Sequence, residues 1–251
     1  MNVFAVEGLP EIEPGDDIAS LIAERVDLTP TDIVCVASTI VSKAEGRQAD
    51  LSEFEPGEQA ERIAEQVGDL ADEEKDPRFA QAVIEESEEL LMEFPIMLAV
   101  TTFGHITINA GIDRSNVPDA DLLLLPEDPT ASAQRLHEAL GVPVIVTDTS
   151  GRPFRHGQRG VAIGWAGMPA ARDWRGTYDR DGKELEATVQ AVVDELAAAA
   201  NLVTGEGAGG KPVAVVRDWE FGEFDGSDDL FRDEDEDLIR PALKEYSHAG
   251  D

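Results

Sequence analysis

The chain has 251 residues, enough for one large domain or two small ones and for a substantial buried core. Its 53 acidic residues outweigh 20 basic ones, giving a formal net charge of −33, and only five of the basic residues are lysines. A surface this acidic repels duplex nucleic acid and repels itself, and high salt relieves the self-repulsion by screening.

The composition therefore reads as that of a cytosolic protein from a salt-accumulating organism. Runs such as Asp233-Glu234-Asp235-Glu236-Asp237 read as solvated surface. The single cysteine, Cys35, lies in the apolar run Ile33–Val36 and reads as a small buried hydrophobe. One cysteine excludes an internal disulfide and a cysteine-based zinc site. No secretory signal or long apolar span appears, so a soluble, cytoplasmic protein is expected.

In chain order, residues 3–6 read as a short strand and Gly8-Leu9-Pro10-Glu11 as a turn. A helix is expected to start at Pro14-Gly15-Asp16-Asp17 and run to about Val26, with Ile18, Leu21, Ile22 and Val26 on one face. Residues 31–37 form the next strand, which exits into Ser38, Thr39 and Lys43. Helices are expected over 58–70 and 76–91. Asp76-Pro77 supplies a cap and a first-turn proline for the second of them. Residues 95–102 and 105–109 read as paired strands around Phe103-Gly104. A strand at 121–125 precedes a helix opened by Asp128-Pro129 and ending near Leu140. Strands follow at 144–147 and 160–164. The periodicity predicts a helix over 184–203, ended by Gly205, then a strand at 212–216 and a terminal helix at 235–246. Interleaved helices and hairpins favour an α+β or mixed α/β class.

Two strand exits carry the chemistry. Val144-Ile145-Val146 leads into Asp148, Thr149, Ser150, Arg152 and Arg155. His105 to Ile108 leads into Asn109-Ala110-Gly111, then Asp113, Ser115 and Asn116. Asp and Thr at such exits offer hard oxygen ligands for Mg²⁺ or Mn²⁺. Arg152 and Arg155 offer forks for phosphate or carboxylate. A turn that is only a turn also favours Asp, Ser and Gly, so these residues alone leave both readings open. Lys43 stands out because lysines are scarce, and a lysine can act as a point charge on phosphate.

The segment Gly205-Glu206-Gly207-Ala208-Gly209-Gly210-Lys211-Pro212 matches G-x-G-x-x-G and nearly matches a P-loop. Both motifs need a strand before and a helix after. Here the order is reversed and Pro212 replaces the metal-holding hydroxyl, so neither a Rossmann nor a P-loop site is expected. A glycine-rich loop can still bring backbone N–H groups close to phosphates. The histidines at 105, 137, 156 and 248 have no metal-binding helical spacing, and no serine-hydrolase elbow occurs.

Seven short motifs occur in register: Gly8–Glu11, Val41–Arg47, Asn109–Asn116, Leu125–Pro129, Asp148–Pro153, Val161–Gly164 and Asp194–Ala197. Together they resemble the coenzyme F420-0:L-glutamate ligase family, over about residues 7–232. The resemblance implies a mixed-sheet α+β fold particular to that family. It implies one domain over residues 1–251, or two intimately packed subdomains, in a homodimer. Members of the family are found in archaea, in keeping with the acidic surface. The implied reaction is GTP-dependent addition of L-glutamate to coenzyme F420-0 through an acyl phosphate, releasing GDP and phosphate. The first glutamate joins by its amine and later ones through γ-linkages. Two divalent cations per site, Mg²⁺ or Mn²⁺, and K⁺ are expected.

Carried over by position, Asp113 and Asp148 resemble ligands of one cation, and Thr149 and Glu206 ligands of a second. Gly8, Leu9, Pro10, Glu11, Ser38, Thr39, Lys43, Asn116, Thr204, Gly205, Glu206, Gly207, Ala208, Gly209, Gly210 and Lys211 resemble the GTP contacts. A ligase acting on another carboxylate, or a non-catalytic nucleotide- or metal-binding module, is the alternative.

Overall fold

In the computed structural model, which describes residues 1–115 and 117–243, the strands in chain order begin with β1 (Asn2–Ala5), β2 (Ile33–Ala37), β3 (Gln48–Ala49), β4 (Ser87–Met92), β5 (Leu98–Thr101) and β6 (Ile106–Ile108). They continue with β7 (Leu122–Leu123), β8 (Val144–Ser150), β9 (Arg159–Ala166), β10 (Ala171–Asp173), β11 (Val189–Ala191), β12 (Val213–Arg217) and β13 (Gly226–Ser227). The helices are α1 (Ile18–Ala23), α2 (Ser38–Ala44), α3 (Glu58–Ala71), α4 (Pro77–Glu85), α5 (Pro129–Leu140) and α6 (Val192–Thr204). They fall into two units: residues 1–45 with 128–230, and residues 46–127 with the described part of 231–251.

The first unit is built on a five-stranded sheet of order β1-β12-β2-β8-β9. Only β2 and β8 are parallel; the other neighbours are antiparallel. A mixed sheet with one parallel pair bears out the α+β expectation. The central strands read as unbroken apolar runs because both their faces are buried. Ile33, Cys35, Ile145, Ala162, Ala214 and Val216 form one layer with Val192, Val193, Leu196, Ala197 and Ala200 of α6. Each large aliphatic side chain buried this way contributes roughly 1.5–3 kcal/mol. Helix α5 packs against β9 at Gly164, where an added Cβ would lie 2.3 Å from the Pro129 carbonyl carbon. Only a glycine permits that approach. Asp32, fully buried, is held by Arg217 at 2.7 and 2.8 Å, which fastens the start of β2 to the end of β12.

The second unit packs α3 and α4 with two small sheets, β3-β7 and β4-β5-β6. Its core includes Ala60, Ile63, Ala82, Val83, Ala99 and Leu122, each fully buried. Asp76 caps α4 by accepting from Arg78 N at 3.0 Å, and Pro77 occupies the first turn, as expected. The same device starts α5 at Asp128-Pro129 in the first unit.

Several expectations are corrected. Gly8–Glu11 has no assigned turn and runs as irregular chain. Helix α1 starts one residue after its cap Asp17 and stops at Ala23, short of Val26. The helix expected over 76–91 ends at Glu85, because Ser87–Met92 pairs with β5. The helix expected over 184–203 starts only at Val192, because Val189–Ala191 pairs with β10. The strand expected over 144–147 continues to Ser150. Near the end, residues 234–236 form a turn and the described chain is helical only from Arg240 to Leu243; the rest of the helix expected over 235–246 lies outside the described residues.

Candidate functional site

Strands β1, β2 and β8 point one way, and β12 and β9 point the other. One edge of the first unit's sheet therefore collects the outgoing ends of three strands and the incoming ends of two. Val6 N donates to Val213 O and Ala37 N to Pro212 O, each at 2.8 Å, which ties three of these ends together. Three segments singled out from the sequence leave or enter the sheet here, Gly8–Glu11, Ser38–Lys43 and Thr204–Lys211, and a fourth, Asp148–Thr149, lies in β8 just past its last pairing with β2.

Alternation along β8 sends Asp148 and Thr149 to opposite faces. On one face Ser38 Oγ donates to Asp148 Oδ1 at 3.3 Å. On the other, Thr149 Oγ1 donates at 3.1 Å to Glu206 Oε1, which also accepts from Asn201 Nδ2 at 2.6 Å. The segment after β1 reaches two lysines. Lys43, buried on α2, pairs with Glu11, and Lys211 pairs with Glu7 at 2.6 Å. The Lys211 ammonium, by its hydrogen bond and its charge, holds the Glu7 carboxyl below its ordinary pKa. Arg25 Nε fixes the same segment by donating to Gly8 O at 2.6 Å. Thr39 and Leu9 are half-buried, and Pro10 and the loop Gly205–Gly210 are exposed. Within that loop Gly209 N donates to Gly207 O at 2.7 Å.

A register shift falls on the β8–β9 ladder between Val146 and Thr147. Bulges re-aim the side chains beyond them and are common beside active sites. At this bulge Ala162 N donates to Asp194 Oδ1 at 2.9 Å. Burial pushes the Asp194 carboxyl above its ordinary pKa, against the lowering effects of that N–H and of Arg159. Sequence reasoning gave Asp194, Glu7 and Asn201 no role; an acid in the first turn of α6 was the available signal for Asp194.

The second unit holds the other exit. Asn109, Ala110 and Gly111 have φ of 55°, 52° and 71°. Left-handed backbone at a non-glycine residue costs of order 1–3 kcal/mol and persists only where packing demands it. Gly111 admits no side chain, since a Cβ would lie 2.4 Å from Leu125 Cδ1. Asp113 follows, bridged through its backbone to Leu123. Its carboxylate accepts from Ser115 N and Ser115 Oγ, both at 2.8 Å. Asn116 lies outside the described residues. Arg47, part of an expected motif, donates to Leu125 O at 2.9 Å and to Glu86 at 2.5 Å. His105 is buried between Phe103 and Phe231, and burial pushes its pKa down to about 4.

The donor set at the first unit's sheet edge is entirely oxygen: carboxylates of Asp148 and Glu206, hydroxyls of Ser38 and Thr149. Such donors suit Mg²⁺ or Mn²⁺. Among the described residues no three Asp, Glu, His or Cys side chains converge on one point. Mg²⁺ sites that use one or two carboxylates and take their remaining ligands from substrate phosphates and water need no more than this.

The profile of the family described as F420-0:Gamma-glutamyl ligase matches residues 8–218. The chain is 67% identical to the coenzyme F420:L-glutamate ligase of Natronomonas pharaonis, covering 100% of this chain and 99% of that protein. It is 67% identical to the protein of the same name from Haloarcula marismortui, over the whole of both chains. Against the one from Archaeoglobus fulgidus the identity is 48%, over 97% of this chain and 98% of that protein.

Proposed function

The chain belongs to the F420-0:gamma-glutamyl ligase family, and we propose that it joins L-glutamate to the carboxylate of coenzyme F420-0 in a reaction driven by GTP. The observation that carries this reading is the gathering of four expected nucleotide and metal segments at one edge of the β1-β12-β2-β8-β9 sheet.

Amide formation needs an activated acyl group. The γ-phosphoryl group of GTP passes to the acceptor carboxylate, breaking the bond to the GDP oxygen and forming an acyl phosphate. The glutamate amine attacks that carbonyl, phosphate leaves, and the amine proton is lost. The barrier is mainly the approach of a carboxylate to a triphosphate, so positioning and charge neutralisation dominate. Asp148 with Ser38, and Thr149 with Glu206, would hold divalent cations, with Asp113 a further carboxylate ligand on the resemblance alone. Bound there, Mg²⁺ or Mn²⁺ would offset the repulsion between phosphate oxygens. Lys43 and Lys211 turn from Glu11 and Glu7 to the phosphates, and the glycines at 205, 207, 209 and 210 allow backbone N–H groups to approach them. The same reading includes two cations per site, K⁺, a homodimer and a cytoplasmic location. Among the described residues no helix is long and apolar enough to cross a membrane.

The test is incubation with GTP, Mn²⁺, L-glutamate and F420-0, followed by mass analysis. A glutamyl increment matched by GDP release is expected. GTP binding without either product would instead support a non-catalytic module.

A further inference from the structure

In a chain with 53 acidic residues, the stretch 149–172 contains none. It holds four arginines and one histidine. Most of it is the β8–β9 hairpin, closed by the pair Ser150 and Arg159. The tip, residues 151–158, projects into solvent except at half-buried Arg152, and Phe154 there is fully exposed.

Elsewhere arginines find carboxylates: Arg47, Arg78, Arg175 and Arg217 all form ion pairs at 2.5–2.7 Å. Arg152, Arg155 and Arg159 form none among the described residues, although the charge of Arg159 reaches the carboxyl of Asp194. The Nε of Arg152 is also shielded from solvent and has no acceptor among the described residues. An orphaned buried donor is unfavourable until something accepts from it. On so acidic a surface, cations kept apart from carboxylates are available to an anion brought from outside. They begin three residues after Thr149, at the sheet edge that the proposed function uses.

We propose that the hairpin tip binds the acyl acceptor, with Arg152 and Arg155 forking onto its anionic groups. This rests on the ligase reading. Charge balance favours the acceptor. Each ligation consumes one acceptor carboxylate and brings in the two of glutamate, so every product is one carboxylate richer than its precursor. A cationic arm beside the site suits an acceptor that stays anionic through successive rounds.

The test is calorimetric titration of F420-0, and separately of GTP with Mn²⁺, into the full-length protein and into its Arg152→Gln/Arg155→Gln double variant. Thermal melts of both proteins check the fold. The expected result is F420-0 binding weakened about tenfold or more, the scale of a lost charge-assisted hydrogen bond. GTP affinity should stay within about twofold, since the nucleotide is held elsewhere. Equal F420-0 affinity in the two proteins, a loss confined to GTP, or no F420-0 binding by the unaltered protein would overturn the assignment. The glutamyl-increment assay is scored apart: failure there with this binding pattern intact would sink the ligase reading and leave the hairpin as an F420-0-binding element only.

Discussion

The two carboxylates expected to serve the same chemistry sit in contrasting surroundings. Asp148, in the first unit, meets Ser38 across 110 residues of sequence, and next to it Thr149 meets Glu206 across 57. Asp113, in the second unit, is satisfied by Ser115 two residues on. The second arrangement is what an ordinary Asp-led turn does with its own backbone. The first arises only because distant strands deliver polar side chains to one sheet edge. Long-range polar pairs at such an edge point to a ligand; a local pair is accounted for by the turn itself.

The largest predicted effect tests the first side of that contrast. Asp148→Ala should lower ligation by at least about 100-fold, the scale of losing a preorganised electrostatic group. Its melting temperature should change little, because Asp148 is only half-buried and lies outside the apolar core. Saturating Mn²⁺ should not restore the rate, as steady-state kinetics will show.

Asp113→Asn probes the other side. The amide oxygen still accepts from Ser115, so the turn survives while the charge is lost. A fall in rate approaching that of Asp148→Ala would make Asp113 a ligand. Unchanged kinetics would reduce it to a turn residue.

Gly164→Ala tests packing without touching the site. The new Cβ meets backbone of α5, which yields less readily than a side chain, so about 2–4 kcal/mol of stability should be lost in a denaturant titration.

The smallest effect concerns Asp194. Its native pKa is raised, so the native state binds its proton more tightly than the unfolded chain does. The resulting stability is full below the unfolded value, near pH 4. It is lost as pH climbs through the higher native value. Asp194→Asn should remove that slope, so the variant gains on the unaltered protein as pH rises from about 4 to 7. Parallel stability curves would contradict it.

Local signals were read well from the sequence. Asp76-Pro77 and Asp128-Pro129 start α4 and α5 where expected, and Gly205 ends α6. Two of the errors share a cause. Residues 87–92 and 189–191 carry helical-looking patterns, yet each pairs with a strand whose position the local pattern does not reveal. The order β1-β12-β2-β8-β9 is nonlocal in the same way. The candidate residues could be named from motif resemblance, but the meeting of the first unit's segments at one edge, the opposite facing of Asp148 and Thr149, and the Asp194 prop at the bulge could not.

The proposed function requires that oxygen ligands at this edge hold divalent cations carrying a guanine nucleotide. The most direct measurement is a titration of free Mn²⁺ by electron paramagnetic resonance, with GTP present, on the unaltered protein and on Asp148→Ala. Tight binding is expected for the first and at least about tenfold weaker binding for the second, with equal melting temperatures. Equal Mn²⁺ affinity in the two folded proteins would contradict it.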